Sequence, residues 1–323
     1  MRSIGVLCSG GDSPGFNPCI RAVVRTAIGL GMRAVGIERG YEGLIDCRMR
    51  EMDARSVGGI IGRGGTILGT ARSEEFRTVK GRKRALRNLN REGVEGLVVI
   101  GGDGSFRGAL KLHEMGFPTI GVPGTIDNNI PYADMSIGVD TALNTVLESV
   151  DRIKDTASSH RRAFLIEVMG RDCGYLALMG GIAGGAEMVL IPEVDTPLAE
   201  VAAHLEDAYI RGKAHCIIVV AEGYKPGTQA IVEYLKAHRD ELGFSVRVTV
   251  LGHVQRGGSP TAFDRLLATR LGCAAVHELY EGNGGVMVGL VGSEIAVTPL
   301  EKVVGEKKTL DLSFYEMAKV LEK

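Results

Sequence analysis

The stretch Gly96-Leu-Val-Val-Ile-Gly-Gly-Asp-Gly-Ser-Phe-Arg-Gly-Ala-Leu110 decides the fold class of this chain and the place of its chemistry. Residues 97–100 form a short apolar run, which is typical of a buried strand, and residues 105–115 carry apolar side chains at helical spacing. The glycines between them predict a strand-to-helix turn, where unpaired backbone N–H groups and the helix dipole favour an anion. Asp103 lies inside this turn, and a carboxylate repels phosphate unless a divalent cation lies between them. The stretch therefore predicts a magnesium-nucleotide site.

Length and composition narrow the class of protein further. The 323 residues are too many for one small core and favour two domains, interleaved in the sequence. A formal net charge of −1 gives no reason to expect nucleic acid or a membrane as a partner. No apolar run reaches the roughly 18 residues of a membrane span, and the first residues lack the pattern of a signal peptide. The six cysteines lack metal-ligand spacing, which favours reduced thiols and a cytoplasmic enzyme.

Strand and helix patterns alternate along the chain. Strands are predicted at residues 4–8, 34–38, 97–100, 119–123, 164–169, 188–192, 216–221, 246–251 and 286–291. Helices are predicted at residues 17–30, 82–91, 105–115, 138–158, 198–211, 228–242 and 262–280. This alternation predicts an α/β fold with mostly parallel sheets, in which ligands bind at the carboxyl ends of the strands.

Two further glycine-rich turns have the composition of phosphate-binding segments. Residues 8–15 open a helix after the first strand, but such a turn also serves simply to pack a helix closely on a sheet, and both interpretations stay open. Residues 62–72 add Arg63 and Arg72 to a third turn, for which a mobile loop with solvated charges is the alternative. Three such turns exceed what helix packing requires, so we favour phosphate binding.

Charged side chains follow several predicted strands. Asp127 lies after the strand at 119–123, two residues beyond the Thr125 hydroxyl, where a carboxylate can act as a general base beside a phosphate. Arg171 follows the strand at 164–169, and His253 and Arg256 lie in a glycine-flanked turn. Arginine binds phosphate with a planar fork of donors, so these positions favour a phosphorylated substrate. The other singled-out histidines are interpreted as structural hydrogen-bonding residues: His113, His204, His238 and His277.

Together these segments resemble the bacterial-type ATP-dependent 6-phosphofructokinase family over practically the whole chain. The motifs are Ser9-Gly-Gly-Asp-Ser-Pro-Gly-Phe-Asn17, Gly101-Gly-Asp-Gly-Ser105, Pro123-Gly-Thr-Ile-Asp127, Glu167-Val-Met-Gly-Arg171 and Gly252-His-Val-Gln-Arg-Gly-Gly-Ser-Pro260. The resemblance implies two Rossmann-like three-layer αβα domains with mostly parallel sheets and a chain that crosses between them. Residues 1–138 plus 255–305 would form a large ATP-binding domain, and residues 139–254 plus 306–323 a small sugar-phosphate-binding domain. A homotetramer with shared active sites is also implied.

The resemblance implies phosphoryl transfer from MgATP to the 1-hydroxyl of fructose 6-phosphate, a step of glycolysis that gives fructose 1,6-bisphosphate and ADP. Asp127 would be the base, Arg171 and Thr125 would also be catalytic, and Asp103 would engage Mg²⁺. The implied ATP-binding residues are Gly11, Tyr41, Arg72, Ser73, Gly102, Asp103, Gly104 and Ser105. The implied substrate-binding residues are Thr125, Ile126, Asp127, Arg162, Met169, Gly170, Arg171, Glu222, Arg247, His253, Val254, Gln255 and Arg256, with Arg162 and Arg247 from a neighbouring subunit. The implied residues for an ADP or phosphoenolpyruvate effector are Arg21, Arg25, Lys154, Glu187, Arg211, Lys213 and His215.

Four positions bear on the donor, the activity and the regulation. Gly104 and Gly124 favour ATP, because pyrophosphate-dependent relatives carry Asp and Lys there. Asn129 stands where the family usually has Asp, which keeps a weakly active or non-catalytic nucleotide-binding homologue as an alternative, beside a pyrophosphate-dependent enzyme. A lipid or NAD kinase would leave the Gly252-His-Val-Gln-Arg256 segment unexplained. Ala54 replaces a basic residue common in the family and predicts a weak effector response, with Arg55 beside it as the one residue that could substitute.

Overall fold

The computed structural model describes residues 1–321, apart from the side chains of residues 240 and 241. The chain divides into two units, of which unit 1 is Met1–Thr141 with Arg256–Lys308, and unit 2 is Ala142–Gln255 with Thr309–Lys323. The last two residues of unit 2, which also end the predicted second domain, lie outside the described residues. The assignment of ATP to one unit and of a sugar phosphate to the other stays a prediction.

The elements alternate between strand and helix along most of the chain. The strands are β1 (Ser3–Ser9), β2 (Arg33–Ile37), β3 (Met49–Met52), β4 (Gly96–Gly101), β5 (Thr119–Pro123), β6 (Arg162–Val168), β7 (Met188–Leu190), β8 (Cys216–Ala221), β9 (Ser245–Val250), β10 (Val286–Val291) and β11 (Glu294–Pro299). The helices are α1 (Phe16–Gly29), α2 (Gly40–Asp46), α3 (Val79–Arg91), α4 (Asp103–His113), α5 (Val139–His160), α6 (Tyr175–Gly184), α7 (Leu198–Ile210), α8 (Thr228–Ala237), α9 (Arg239–Leu242), α10 (Ala262–Tyr280), α11 (Leu300–Gly305) and α12 (Ser313–Leu321). Short 3₁₀ helices lie at Glu75–Arg77 and Gly252–Arg256.

Unit 1 holds a seven-stranded sheet in the order β11-β10-β5-β4-β1-β2-β3. The five strands from β10 to β2 are parallel, and the edge strands β3 and β11 are antiparallel to their neighbours. The chain runs from β1 to β2 on one side and later returns to β4 on the other side. The strand order therefore reverses between β1 and β4, and the carboxyl ends of these two strands are where such sheets bind ligands.

Alternation of buried side chains along the strands gives unit 1 two core layers. Ile4, Val6 and Cys8 of β1 lie in the core on the side of α1 and α10. Leu7, between them, lies in the core formed with α2, α3 and α4. All four side chains are at most 1% exposed. Because successive strand residues point to opposite faces, the apolar run in β1 serves both layers, as expected of a sheet covered on both sides.

Unit 2 holds a four-stranded, fully parallel sheet in the order β7-β8-β6-β9. One face packs Leu165 and Ile218 against helices α7 and α8. On α6, a Cβ added at Gly181 would lie 2.4 Å from the Val189 side chain, so glycine lets this helix approach β7 closely. The predicted α/β fold class with mostly parallel sheets is confirmed.

The structure corrects several predicted boundaries. The helix predicted at 228–242 is wrong as one element, because α8 ends at Ala237 and α9 begins at Arg239. The ring Nδ1 of His238 lies 2.9 Å from the Tyr234 carbonyl oxygen, where it competes with backbone N–H groups for that carbonyl at the end of α8. Helix α4 begins two residues earlier than predicted, at Asp103, since an acidic residue is favourable in a first helical turn. Among the residues described, no helix has the length and apolar character needed to cross a bilayer.

Candidate active site

The glycine-rich turns after β1 and after β4 meet in unit 1, where the strand order reverses. Ser9 and Gly101, the last residues of β1 and β4, are partners in the parallel ladder. The Ser105 hydroxyl, in the first turn of α4, donates to the Ser9 carbonyl oxygen at 2.9 Å. A Cβ on Gly101 would come within 2.5 Å of the same hydroxyl, so only glycine allows this approach. Ser105, predicted to bind ATP, therefore links the two turns through its hydroxyl.

Tyr41 braces the same turn from α2. Its hydroxyl donates to the Ser105 carbonyl oxygen at 2.5 Å, and its ring stacks on Phe76 with centroids 4.0 Å apart. The side chain is 6% exposed, and burial raises the pKa of the Tyr41 phenol, which therefore stays a neutral donor. A Cβ on Gly108 would lie 2.6 Å from the Tyr41 ring. Sequence reasoning missed Phe76 and Gly108, because both contacts join distant parts of the chain.

Asp103, the predicted metal ligand, is the first residue of α4. Its carboxylate accepts from Arg107 twice, at 2.8 Å and 3.2 Å, and both side chains are about half exposed. Arg107 lies four residues further along the helix, a spacing that places two side chains on one face, so this pair could have been predicted. An exposed, oxygen-only ligand at a helix N-terminus fits a magnesium ion that also binds phosphate.

The glycines of the site differ in what surrounds them. A Cβ on Gly104 would meet no heavy atom within 4 Å, so the space over the start of α4 is open. A Cβ on Gly11 would lie 3.2 Å from the Arg256 guanidinium, which places that arginine over the turn after β1. A Cβ on Gly124 would lie 2.5 Å from the Phe16 ring. Gly124 is therefore required by core packing, and Gly104 alone carries the inference about the phosphoryl donor.

The glycine-rich turn at residues 62–72 is hydrogen-bonded to the segment that follows β1. The Asn17 side chain donates to the carbonyl oxygens of Arg63 and Gly64 at 3.0 and 3.1 Å and accepts from the Ile67 N–H at 2.8 Å. The Thr70 hydroxyl donates to the Gly10 carbonyl oxygen at 2.8 Å. These bonds anchor the turn on α1 and β1, in contrast to a loop that only carries solvated charges.

Arg72 and Ser73 follow that turn. Arg72 is exposed. The Ser73 hydroxyl accepts at 3.2 Å from the N–H of Phe76, which lies in the 3₁₀ helix Glu75–Arg77. Ser73 thereby fixes Phe76, which stacks on Tyr41, so Ser73 has a structural role as well as the predicted contact with ATP.

Asp127 lies just beyond the carboxyl end of β5. It is 6% exposed, and its backbone N–H donates to the Thr125 hydroxyl at 3.2 Å. The Thr125 Cβ is 3.7 Å from the position of a Cβ on Gly102, so this segment adjoins the turn after β4. Asn128 has a left-handed backbone (φ 49°), and its side chain donates to the Asp134 carbonyl oxygen at 3.0 Å. The predicted base is thus held close to the predicted phosphate-binding turn.

In unit 2, three neighbouring strands end at the same edge of the sheet. Arg171 follows β6, Glu222 follows β8, and His253 follows β9. The Glu222 carboxylate accepts from the backbone N–H groups of Gly170 (3.2 Å) and Arg171 (2.8 Å). Arg171 has a left-handed backbone, with φ 52°, which costs about 1 kcal/mol and persists because these bonds hold it. Glu222 thus fixes the backbone from which the Arg171 side chain extends.

Gln255 and Ile126 are predicted substrate-binding residues that the structure buries. Gln255 is 0% exposed, accepts from the Met169 N–H at 3.2 Å and donates to the Gly252 carbonyl oxygen at 3.0 Å. Ile126 is 3% exposed, whereas Val254 is 63% exposed. Gln255 therefore links the turns after β6 and β9.

Arg162 and Arg247 lie away from the strand ends that carry the other predicted sugar-phosphate residues. Arg162 is the first residue of the seven-residue strand β6, so it lies about 23 Å along that strand from the turn with Arg171. Arg247, on β9, pairs with Phe164, still near the start of β6. Within unit 2 these two arginines are not brought to Arg171.

The predicted effector residues are divided between the units. In unit 1, the Arg25 guanidinium is 3.5 Å from the Ala54 carbonyl oxygen, and Arg21 lies one turn earlier on α1. In unit 2, Lys213 is 3.7 Å from the Glu187 carboxylate. Also in unit 2, Lys154 donates to the Gly184 carbonyl oxygen, His215 lies 2.8 Å from the Ser158 hydroxyl, and Arg211 pairs with Asp207 at 2.7 Å.

Comparison with known proteins agrees with the resemblance. The family model described as Phosphofructokinase matches residues 3–279. An ATP-dependent 6-phosphofructokinase from Natranaerobius thermophilus is 54% identical over 321 residues, which cover 99% of each chain. Phosphofructokinase from Saccharomyces cerevisiae has a TM-score of 0.86 and 37% identity, over 100% of this chain and 47% of that longer chain. A pyrophosphate-dependent phosphofructokinase from Marinobacter aquaeolei shares the fold, with a TM-score of 0.86 at 22% identity, over 97% of this chain and 86% of that chain. The predicted resemblance is confirmed, and the chain belongs to the phosphofructokinase family.

Proposed function

We propose that this chain transfers the γ-phosphoryl group of ATP to the 1-hydroxyl of fructose 6-phosphate, giving fructose 1,6-bisphosphate and ADP in glycolysis. The observation that carries this function is the position of Asp127, held at the end of β5 beside the open glycine turn that begins α4. A base next to a phosphate-binding turn is what transfer to a hydroxyl requires. The near full-length similarity to an ATP-dependent 6-phosphofructokinase supports the same activity.

In unit 1, the turns after β1 and β4 would bind the phosphates of ATP through backbone N–H groups. Asp103 would hold Mg²⁺, which neutralises charge on the transferred phosphoryl group when it is bound. Asp127 accepts the proton of the attacking 1-hydroxyl, and the Thr125 hydroxyl keeps the Asp127 backbone in place. Arg72 and Arg256 add positive charge for the phosphates.

In unit 2, Arg171, His253 and Glu222 would bind the sugar phosphate. Arg171 offers a fork of donors to phosphate oxygens, and the bond from its N–H to Glu222 holds its backbone in place before the substrate arrives. Glu222 holds this turn through backbone N–H groups and keeps lone pairs for a sugar hydroxyl. Preorganised charge of this kind lowers the barrier to phosphoryl transfer.

One panel of assays tests the proposed activity. Purified protein is incubated with Mg²⁺, with fructose 6-phosphate or tagatose 6-phosphate as acceptor, and with ATP or pyrophosphate as donor. We expect ATP consumption that depends on fructose 6-phosphate. Consumption of pyrophosphate at an equal rate would favour the alternative donor, and no consumption of either donor would favour a non-catalytic homologue.

We also propose the cytoplasm as the compartment and a homotetramer as the assembly. All six cysteines, which lie within residues 1–321, carry free thiols, as is usual in reducing compartments. Arg162 and Arg247 lie away from Arg171 within unit 2, which supports their contribution to the site of a neighbouring subunit.

Subunit mixing tests the shared site. We expect an inactive Asp127→Asn protein and an inactive Arg162→Ser protein to regain part of the activity after subunit exchange, because some hybrid sites then hold both intact residues. Activity is compared with each protein exchanged with itself, and exchange is followed by native mass spectrometry. No recovery despite complete exchange would show that each site is built within one chain.

Replacing Ala54 by arginine tests the proposed effector site. A missing charge-assisted contact weakens binding by about 1.5 to 3 kcal/mol, or about 10- to 150-fold. We expect phosphoenolpyruvate or ADP to shift the apparent KM for fructose 6-phosphate only at high concentration, and Ala54→Arg to lower that concentration. Ala54 is exposed next to Arg25, so the new side chain has room. Ala54→Gln is the uncharged control, and tight wild-type binding by calorimetry, unchanged in Ala54→Arg, would contradict this expectation.

A further inference from the structure

The N-termini of helices α5 and α10 meet in unit 1 and are linked by side-chain hydrogen bonds. Thr261 is the N-cap of α10, where its hydroxyl accepts from the Asp264 N–H at 3.3 Å. The same hydroxyl donates to the Asp140 carboxylate in the first turn of α5, at 2.6 Å. In return, the Asp264 carboxylate accepts from the N–H groups of Gly138 and Thr141 at the start of α5, both at 2.8 Å. Helix α10 is therefore capped by its own Thr261, which Asp140 of α5 holds in place, and Asp264 of α10 in turn caps the start of α5.

Thr141 closes this ring of hydrogen bonds. Its hydroxyl donates to the Asp264 carboxylate at 2.6 Å and accepts from the Thr261 N–H at 3.1 Å. Asp264 is 0% and Thr141 is 5% exposed. Burial raises the pKa of Asp264, while the bonds from Thr141 and Gly138 lower it. Since water cannot replace a lost donor at this depth, each bond to the carboxylate matters for the geometry of the two helix ends.

The capped segment supports two parts of the proposed active site. A Cβ on Gly138 would lie 2.5 Å from the Ser13 Cβ, and the Ser13 hydroxyl donates to the Ile137 carbonyl oxygen at 2.8 Å. The Ile137 N–H donates to the Pro123 carbonyl oxygen at 2.9 Å, four residues before Asp127. The linked helix ends therefore connect to the turn after β1 on one side and to the segment with the proposed base on the other.

We propose that Thr141 and Asp264 are positioning residues for phosphoryl transfer, an inference that rests on the function proposed above. They act by fixing residues 137–141, which in turn fix the carboxyl end of β5 and the place of Asp127. The chain leaves unit 1 after Thr141 and returns at Arg256, five residues before Thr261. Two passages of the chain between the units therefore lie within six residues of the linked helix ends. A reacting group displaced by about 1 Å can lose roughly 10²-fold in rate.

A pair of substitutions at Thr141 tests this inference. Thr141→Val keeps the shape but removes the hydroxyl, whereas Thr141→Ser keeps the hydroxyl. We expect Thr141→Val to lower kcat about 10- to 100-fold with the KM for ATP changed less than about 3-fold, because the base moves while the turn after β1 stays held by the hydroxyls of Thr70 and Ser105. Thr141→Ser should restore kcat to within about 3-fold of wild type. Activity is measured well below the Tm of every variant.

Thr119→Val is the matched control for lost stability. Thr119 is 0% exposed at the start of β5, and its hydroxyl donates to the Ala109 carbonyl oxygen at 3.0 Å. We expect this variant to lower the Tm and leave kcat unchanged. Wild-type kcat in Thr141→Val would overturn the positioning role.

A second readout separates this role from the proposed reaction. Hydrogen exchange at residues 123–138 should become faster in Thr141→Val than in Thr119→Val, whether or not the wild-type protein shows kinase activity. Unchanged exchange would overturn the inference by itself, whereas an inactive wild-type protein with faster exchange in Thr141→Val would overturn only the proposed reaction. If Thr141→Val does not fold, the same two readouts are applied to Asp264→Asn, whose amide keeps one acceptor oxygen and loses the other.

Discussion

Replacing Asp127 by asparagine will lower kcat by about 10²- to 10⁴-fold and leave the KM values for ATP and fructose 6-phosphate within a few-fold, since a general base contributes rate in that range. The amide has the shape of the carboxylate but cannot accept the proton of the attacking hydroxyl. Asp127 is 6% exposed, and its backbone is held by the Thr125 hydroxyl, so the substitution should leave the segment in place. Steady-state kinetics with both substrates varied measure the effect.

An exposed carboxylate in the same unit supplies the control for lost charge. Asp46 pairs with Arg48 at 3.5 Å on the surface, and exposed pairs of this kind contribute about 0–1 kcal/mol. We expect Asp46→Asn to keep wild-type kinetics. If Asp127→Asn kept wild-type kcat as well, Asp127 would not be the base, and another group would have to take the proton.

Replacing Gly104 by aspartate will lower kcat/KM for ATP by about 10²-fold or more. A Cβ at this position meets nothing within 4 Å, and an acidic residue is favourable in the first turn of α4, so the variant should fold. The added carboxylate would face the ATP phosphates beside Asp103, and like charges in contact at a binding surface cost several kcal/mol. Binding of ATP by calorimetry and initial rates measure the loss.

Gly104→Asn has nearly the same volume without the charge and is the matched control. We expect it to retain most of the activity with ATP, so that the difference between the two variants reports repulsion rather than crowding. An equal loss in both variants would mean that the site has no room for any side chain. A wild-type protein with equal rates for ATP and pyrophosphate would contradict the donor inference itself.

Local sequence pattern predicts the buried strands well and the edge elements poorly. Strands β5 and β8 have the predicted bounds, because an unbroken apolar run has one stable place in a sheet covered on both sides. Strand β3 (Met49–Met52) was missed, since it is short, charged and half exposed. Its place depends on pairing with β2, as in the ladder pair Gly36 and Arg50, and that contact is not visible in the local sequence.

In the candidate site, too, features with a local cause could be predicted and features set by tertiary contacts could not. The turn at residues 101–105 could be predicted, because glycine between a strand and a helix has a local cause. By contrast, the Ser105 hydroxyl meets β1, and Asp264 meets the start of α5 more than a hundred residues away. Gly124 is the clearest example of what the sequence alone could not assign, because the Phe16 ring rather than the phosphoryl donor explains why this residue is glycine. Such roles depend on tertiary contacts and could be assigned only from the structure.

The most direct test follows the transferred phosphoryl group itself. Purified protein is given ATP labelled with ¹⁸O in the γ-phosphoryl group, unlabelled pyrophosphate, Mg²⁺ and fructose 6-phosphate in one reaction, and the product is analysed by ³¹P NMR and mass spectrometry. We predict fructose 1,6-bisphosphate with the label at the 1-phosphate, and none of this product with Asp127→Asn in the same time. Unlabelled 1-phosphate, or ATP hydrolysis without any sugar product, would contradict the proposed reaction.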